Sequence, residues 1–157
     1  MKSQTKKTYS KLHVFKGQPK RYYVVAEGFT SKSKSAQLRT VKNEDGDELT
    51  ICSVYMNLLN QASQIDRVLE AMDADLDCVF TNTDEENVFT TIKITGFGKV
   101  AERMNKALVP GCRVLVSGYF SINQWNAESR SNRQSALVIN VNEFWVTRYP
   151  EKGKSVE

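Results

Sequence analysis

The segment from Val88 to Trp125 constrains the fold of this chain more than any other stretch. Apolar and polar residues alternate through VFTTIKIT at its start and through CRVLVSGYFSINQW at its end, which is the pattern of strands with one buried face. Between these runs, KVAERMNKAL has its apolar residues at helical spacing, and Pro110-Gly111 ends the run. The segment therefore predicts a strand, a short amphipathic helix and a second strand.

The polar face of these strands carries aromatic and basic side chains. Alternation places Phe89 and Lys93 on the polar face of the first strand, and Tyr119 and Trp125 on that of the second. Tyr55 has the same kind of position in the alternating run ELTICSVYMN. Rings and cations on one surface suit unpaired bases and phosphates, although exposed rings also mark contacts between proteins.

Gly96–Ala101 fits the G-x-G-x-x-G/A fingerprint of dinucleotide-binding proteins and lies between a strand and a helix, as that fingerprint requires. A strand of that fold is covered on both faces and is apolar throughout, whereas the strand before Gly96 alternates. No Asp or Glu occurs between Arg103 and Ala127 to bind a ribose. Both observations disfavour a dinucleotide site.

The run GFGKVAERMNKALVPGCRVLVSGYFSINQW resembles the second half of bacterial and phage single-stranded DNA-binding proteins. In that family a strand leads to Phe-Gly-Lys-x-Ala-Glu, a helix, a Lys/Pro-Gly turn, a V-x-V-x-G-x-L strand and a final Trp or Tyr. The resemblance covers residues 88–146 and, more loosely, residues 22–57, and it does not extend to residues 58–86. It implies a mainly β fold, a five-stranded OB-fold barrel with one helix between strands 3 and 4.

The resemblance also implies roles for individual residues. Phe97 and Trp125 match base-stacking positions of the family, and Lys93 matches a basic position on the strand before the helix. The polar loop NAESRSNRQ contains Arg130 and Arg133, which are candidates either for phosphate contacts or for a solvated surface. The predicted residues that bind single-stranded DNA are Phe97, Trp125, Lys93, Phe89, Tyr55, Tyr119, Arg130 and Arg133.

Three other aromatic residues have apolar neighbours. Phe120 shares the apolar face of Val116, and Phe144 and Trp145 precede Val146 in the last predicted strand. We expect these three rings in the core or between subunits.

The chain has 157 residues, of which 40% are hydrophobic and 25% charged, and this composition predicts one domain, over residues 22–147. Residues 1–21 contain seven basic residues and no acidic one, and they lack apolar periodicity. They are expected to form a disordered arm that either attracts phosphate or only aids solubility. Residues 148–157 form a short tail, unlike the long acidic tail with which cellular members of the family recruit replication partners.

Residues 58–86 are predicted to be an acidic helical insertion. Apolar residues recur at helical spacing over residues 59–72, where Ser63 and Asp66 can form a capping pair. From Asp66 to Glu86 there are eight acidic residues and one basic residue, so DNA should avoid this region. Asp73 and the acids that follow it resemble the start of a calcium loop, but the sequence lacks the glycine that its sharp turn needs.

The sequence gives little support for a metal site, a cofactor, an enzyme or a membrane protein. Cys52, Cys78 and Cys112 lie in apolar runs without a C-x-x-C motif, and His13 is the only histidine, so we expect reduced, buried thiols rather than a zinc site. No cofactor is expected, and the acids do not converge as a nuclease requires. The absence of a long apolar run or a signal peptide in this sequence predicts a cytoplasmic protein that does not enter membranes.

The sequence therefore predicts a protein that coats single-stranded DNA in replication, recombination or mobile-element transfer. An RNA-binding or replication-restart OB-fold protein is one alternative, and an OB-fold module that assembles with other proteins is another. The expected partners are single-stranded DNA or RNA, further copies of the chain in a dimer or tetramer, and replication or recombination proteins. Salt-dependent affinity for oligo-dT distinguishes nucleic-acid binding from protein assembly.

Overall fold

The computed structural model describes residues 8–17, 21–32, 36–42, 44–74, 79–84, 86–124 and 135–150. These residues contain eight strands and two helices. In chain order the elements are β1 (Leu12–Lys16), β2 (Tyr22–Thr30), β3 (Gln37–Lys42), β4 (Glu48–Leu59), α1 (Ala62–Ala71), β5 (Phe80–Asp84), β6 (Asn87–Phe97), α2 (Lys99–Ala107), β7 (Arg113–Gln124) and β8 (Ser135–Arg148).

Five of the strands close into a ring. β2 pairs with β7, β7 with β8, β8 with β6, β6 with β4, and β4 pairs with β2. The pairing of β6 with β8 is parallel and the other four pairings are antiparallel. Because α2 connects the third and fourth strands of this ring, the predicted five-stranded OB-fold barrel is confirmed. β1, β3 and β5 extend the sheet from β2, β4 and β6.

The ring closes through a short seam between β2 and β4. The seam consists of the residue pairs Phe29–Asn57 and Thr30–Met56. Gly28 allows the two strands to approach, because a Cβ atom at this position would lie 2.5 Å from the carbonyl oxygen of Asn57. A larger residue at Gly28 would therefore force the seam apart.

The side chain of Thr30 ties the seam to the segment that follows α2. Its hydroxyl group donates to the carbonyl oxygen of Val109 at 2.7 Å and accepts a hydrogen bond from the backbone N–H of Cys112 at 3.0 Å. Thr30 is almost fully buried, and these bonds satisfy its polar group inside the protein.

The core consists of the inward-facing residues of the ring together with one face of each helix. The alternation predicted for β4, β6 and β7 is confirmed, since one face of each strand is buried. Each large side chain that leaves water in this way stabilises the fold by about 1.5–3 kcal/mol. The residues with at most 1% exposure include Val24, Met56, Ile65, Leu69, Ile92, Ile94, Met104, Val114, Val116, Leu137 and Ile139.

The predicted inserted helix is present as α1, which packs Ile65 and Leu69 into the core. The predicted Ser63–Asp66 capping pair is wrong, because the helix begins after Gln61 and has no side-chain cap. The side-chain amide of Gln61 instead donates to the carbonyl oxygen of Ser10 at 2.6 Å. The start of α1 is therefore fixed by the N-terminal segment.

Residues 12–16 form the strand β1 within the segment that was expected to be a disordered arm, so that expectation is wrong for these residues. Leu12 is buried, and β1 pairs with β2 along its whole length. Ser10 exchanges two hydrogen bonds with the backbone of Leu59, at 3.0 and 2.8 Å. These partners are distant in sequence, which is why local periodicity does not reveal them. Residues 1–7, 18–20 and 151–157 lie outside the described part of the chain.

Cys52 and Cys112 are buried and form no disulfide within the described residues, and burial raises the pKa of both thiols. Cys78 lies outside these residues. Among the helices of the described ranges, none is long and apolar enough to cross a membrane.

Candidate nucleic-acid interface

The outer faces of β4 and β6 form one continuous surface, because the two strands pair from Ile51–Phe97 to Leu59–Phe89. Side chains of directly opposed residues lie on the same face of a sheet. The outward residues of this surface are Ser53, Tyr55, Asn57 and Leu59 on β4 and Phe89, Thr91, Lys93, Thr95 and Phe97 on β6.

Tyr55 and Lys93 lie directly opposite each other at the centre of this surface. The Lys93 Nζ atom is 5.7 Å from the centroid of the Tyr55 ring, within the range of a cation–π contact. Both side chains are half-buried, so the ring and the ammonium group are held together at the protein surface. An aromatic ring and a cation thus lie side by side on one face of the sheet, and their role in binding stays a prediction.

Hydrogen-bonded polar pairs flank Tyr55 and Lys93 on both sides. The Thr91 hydroxyl donates to the Asn57 side-chain oxygen at 2.6 Å, and the hydroxyl groups of Ser53 and Thr95 lie 3.3 Å apart. These groups are uncharged and have partners within the protein. A ligand that covers them does not leave them unsatisfied.

Two aromatic residues mark the ends of the β6 surface. Phe97, the last residue of β6, is 41% exposed, and the chain turns into α2 at Gly98, whose φ of 63° suits glycine. Phe89 is half-buried near the other end, opposite Leu59. Phe97 is thus available to a ligand to a greater extent than Phe89.

Phe80 was missed by the sequence analysis. It lies on β5 opposite Thr91, on the same outer face, and it is 61% exposed. Its position in an acidic stretch argued against a role in binding DNA. The alternation of buried Val79 with Phe80 is the sequence signal that points to an outward ring.

Tyr119 faces outward but is not part of the β4–β6 surface. It lies on β7 opposite Tyr23 of β2 and Asn140 of β8, and β8 separates it from Lys93. The guanidinium carbon of Arg21 lies 4.4 Å from the centroid of the Tyr119 ring. The structure thus brings Tyr55, Lys93, Phe89 and Phe97 together and places Tyr119 in a separate group.

A family model described as the single-strand binding protein family matches residues 62–147, which is more than half of the chain. The chain belongs to the single-strand binding protein family. The match includes the whole of the predicted resemblance over residues 88–146 and begins inside the insertion, to which that resemblance did not extend. It does not include residues 22–57, where the resemblance was loose.

Similar solved structures include a small single-stranded DNA-binding protein from Streptomyces coelicolor, with 13% identity and a TM-score of 0.47, over 79% of this chain and 90% of that one. Another is the SSB domain of a Synechococcus sp. protein, with 12% identity and a TM-score of 0.44, over 78% of this chain and 91% of that one. No curated protein matches the chain.

Trp125, Arg130 and Arg133 lie within the range of the family match but outside the described residues, so their predicted roles remain predictions. Within the described part of the chain, no group of three or more His, Cys, Asp or Glu side chains is arranged to hold a metal ion.

Proposed function

We propose that this member of the single-strand binding protein family binds single-stranded DNA on the outer face of β4 and β6 without reading its base sequence. The observation that carries the proposal is the direct pairing of Tyr55 with Lys93, on a surface that also presents Phe97. Rings of this kind stack on any base, and a cation between them attracts the phosphates on either side.

The expected energetics agree with such a role. Each base that stacks on an aromatic ring contributes about 1–3 kcal/mol to binding, so two or three rings together contribute several kcal/mol to the affinity for a single strand. Tyr55 and Phe97 are the described rings best placed for stacking, with Phe89 and Phe80 at the margin of the surface. Trp125 is part of the proposal through its family position, and Arg130 and Arg133 are part of it as basic residues of the polar loop NAESRSNRQ.

We further propose that the protein coats single-stranded DNA during replication, recombination or mobile-element transfer in the cytoplasm, and that it does so without catalysis. Replication or recombination proteins are its proposed partners. Assembly into a dimer or tetramer is supported by aromatic rings on a different part of the barrel. Trp145 on β8 is 51% exposed, and Phe29 on β2 is also exposed.

A titration across a series of salt concentrations tests the proposal. The wild-type protein is titrated with oligo-dT, oligo-U and duplex DNA of equal length, with intrinsic fluorescence as the readout. With about four phosphate contacts, the logarithm of the affinity for oligo-dT should fall with the logarithm of the salt concentration at a slope of about −3. A slope near zero would overturn the proposal, and stronger binding to oligo-U would favour RNA.

The variant Lys93→Gln, with Lys106→Gln as its matched control, locates the site. Lys106 is exposed in the last turn of α2 and is not one of the residues of the β4–β6 surface. Lys93→Gln should reduce the magnitude of the salt slope by about 0.7, the contribution of one phosphate contact on a single strand. Lys106→Gln should leave the slope unchanged, and equal effects of the two variants would show that only net charge matters.

A further inference from the structure

A second row of aromatic side chains lies on the outer surface, across β1, β2 and β7. Phe15 of β1 is opposite Tyr23 of β2, and Tyr23 is opposite Tyr119 of β7. Opposed side chains on neighbouring strands lie about 5 Å apart at their Cβ atoms, so the three rings form one row. Phe15 is 55% exposed, and the other two rings are half-buried.

The rings in this row are positioned by their neighbours. The Tyr23 ring lies against Gly17, where the Cβ atom of any other residue would collide with it. The guanidinium group of Arg21 lies over the Tyr119 ring, 4.4 Å from its centroid. A guanidinium plane held over a ring offers both a flat surface and a positive charge.

The charge around the row favours an anionic ligand. Arg21 and Lys16 are exposed, and neither takes part in an ion pair within the described residues. The acids on the outer faces of β2 and β8 lie further along these strands, and both are already paired, Glu27 with Arg113 and Glu143 with Arg103.

The row is continuous with the β4–β6 surface. Tyr119 is opposite Asn140 of β8, and Asn140 is beside Thr95 of β6. The Asn140 amide donates to the Ser121 hydroxyl at 2.7 Å, so the crossing is polar but uncharged. Two strand spacings separate Thr95 from Tyr119, which is about 10 Å.

We propose that a single strand of nucleic acid bound at Tyr55 and Lys93 continues across Asn140 onto the row of Phe15, Tyr23 and Tyr119. This inference rests on the function proposed above and extends its site. The rings stack on bases, and Arg21 contacts a phosphate or stacks on a base through its planar group. The β4–β6 surface is then the first part of the path, and the row is the second part, which is reached only by a longer strand.

Binding of oligo-dT of two lengths, about 5 and about 16 nucleotides, tests this path, because these lengths span the range that one OB fold covers. Tyr119→Leu should weaken binding of the long probe by about 5- to 150-fold, the equivalent of one lost stack, and leave binding of the short probe unchanged. Tyr119→Phe, which keeps the ring, should bind both probes as the wild type does. Tyr55→Leu should weaken binding of both probes.

Several outcomes would overturn the inference. Wild-type affinity of Tyr119→Leu for both probes would show that the row does not bind nucleic acid. An equal loss for both probes would place Tyr119 in one site with Tyr55. Unchanged binding together with a smaller species in sedimentation velocity would make the row an interface between copies of the chain.

Failure of the wild-type protein to bind either probe would overturn the proposed function itself, and the path with it. If Tyr119→Leu does not fold, Phe15→Ser and Arg21→Gln provide the same test, since both residues are exposed. These variants should also weaken binding of the long probe alone, and wild-type affinity of both variants for the long probe would overturn the path.

Discussion

Two pairs of a ring and a cation lie on different faces of the barrel, and they differ in the charges around them. On the β4–β6 surface, the Lys93 Nζ atom is 5.7 Å from the Tyr55 ring centroid. The Arg113 guanidinium carbon is 5.5 Å from the centroid of the Phe29 ring, on the outer side of β2, β7 and β8 that also carries Trp145 and that we call the second face. Arg113 also lies 3.5 Å from the carboxylate of Glu27, which is largely buried.

The outward neighbours of Lys93 on its own strand are threonines, Thr91 and Thr95. A phosphate that approaches Lys93 meets a cation that forms no ion pair within the described ranges, whereas one that approaches Arg113 must compete with the carboxylate of Glu27. The same local pair therefore suits an anionic ligand on one face and internal structure on the other. Ring and cation alone do not identify a binding site.

The largest expected effect is a loss of folding stability at β8, where one aromatic side chain lies in the core and the next lies on the second face. Phe144 is buried and Trp145 is half-exposed. Phe144→Ala should lower the free energy of unfolding by about 3–5 kcal/mol. In the dissociated chain, Trp145→Ala should change it by about 0.5 kcal/mol or less, as at an ordinary surface site. Urea melts of both variants over a range of protein concentrations measure this difference. A loss for Trp145→Ala that grows with concentration would show that another chain covers the ring, and an equally large loss at every concentration would place the ring in the core.

A smaller effect is expected on the affinity for DNA, which should depend on one of the two ring and cation pairs and not on the other. Tyr55→Leu should lower the affinity for oligo-dT by about 1–3 kcal/mol, because it removes a stacking surface while it keeps an apolar side chain. Phe29→Leu is the matched control on the second face and should leave affinity unchanged. Fluorescence titrations at one fixed salt concentration measure both variants. If Phe29→Leu lost as much affinity as Tyr55→Leu, the distinction between the faces would fail.

The smallest expected effect is on the pH dependence of stability, and it comes from the ion pair between Arg103 and Glu143. A hydrogen bond from Arg103 at 2.8 Å lowers the pKa of the Glu143 carboxyl group below its ordinary value of 4.5. Because the folded-state pKa is the lower one, this pair stabilises the fold at pH values above 4.5. That stabilisation is lost as the pH falls from 4.5 through the folded-state pKa.

The melting temperature of Arg103→Gln should therefore be slightly below that of the wild type at pH 7, and this difference in melting temperature should shrink below pH 4.5. Arg103 also lies over the Phe144 ring, at 5.0 Å, so part of the difference is independent of pH. Glu143→Gln removes only the carboxylate and should reproduce the part that depends on pH. A difference in melting temperature between the wild type and Arg103→Gln that stays constant with pH would mean that the ion pair does not contribute to stability.

Alternation in the sequence predicted the inner and outer faces of β4, β6 and β7, because the period of a strand is a local property. It did not place Trp145, which was expected in the core or between subunits: the ring is 51% exposed and lies outside the core, and its position between subunits stays a prediction. Along β8, Ile139 and Val141 face inward, so strict alternation would bring Trp145 inward as well. The register with β7 shifts between Ser117 and Gly118, and this bulge turns Phe144 inward instead. Nothing local in the sequence marks that shift.

The candidate site was predictable to the extent that its residues are close in sequence. Lys93 and Phe89 follow from one alternating strand, Phe97 follows from the family resemblance, and alternation within ELTICSVYMN gave the outward side of Tyr55. Tyr119 was assigned to the same face, because alternation gives the side of a strand but not its neighbours in a closed ring. Which strands adjoin depends on long-range pairing, and that information is absent from local patterns.

The short seam between β2 and β4 has a mechanical consequence. Two residue pairs join these strands, whereas β7 and β8 share twelve. Local opening is least costly where few backbone bonds break, so the barrel should unroll at this seam into a curved open sheet. The hydroxyl group of Thr30 bonds to Val109 and Cys112 and not to β4, so the end of β2 should stay on the segment after α2 while β4 separates from it.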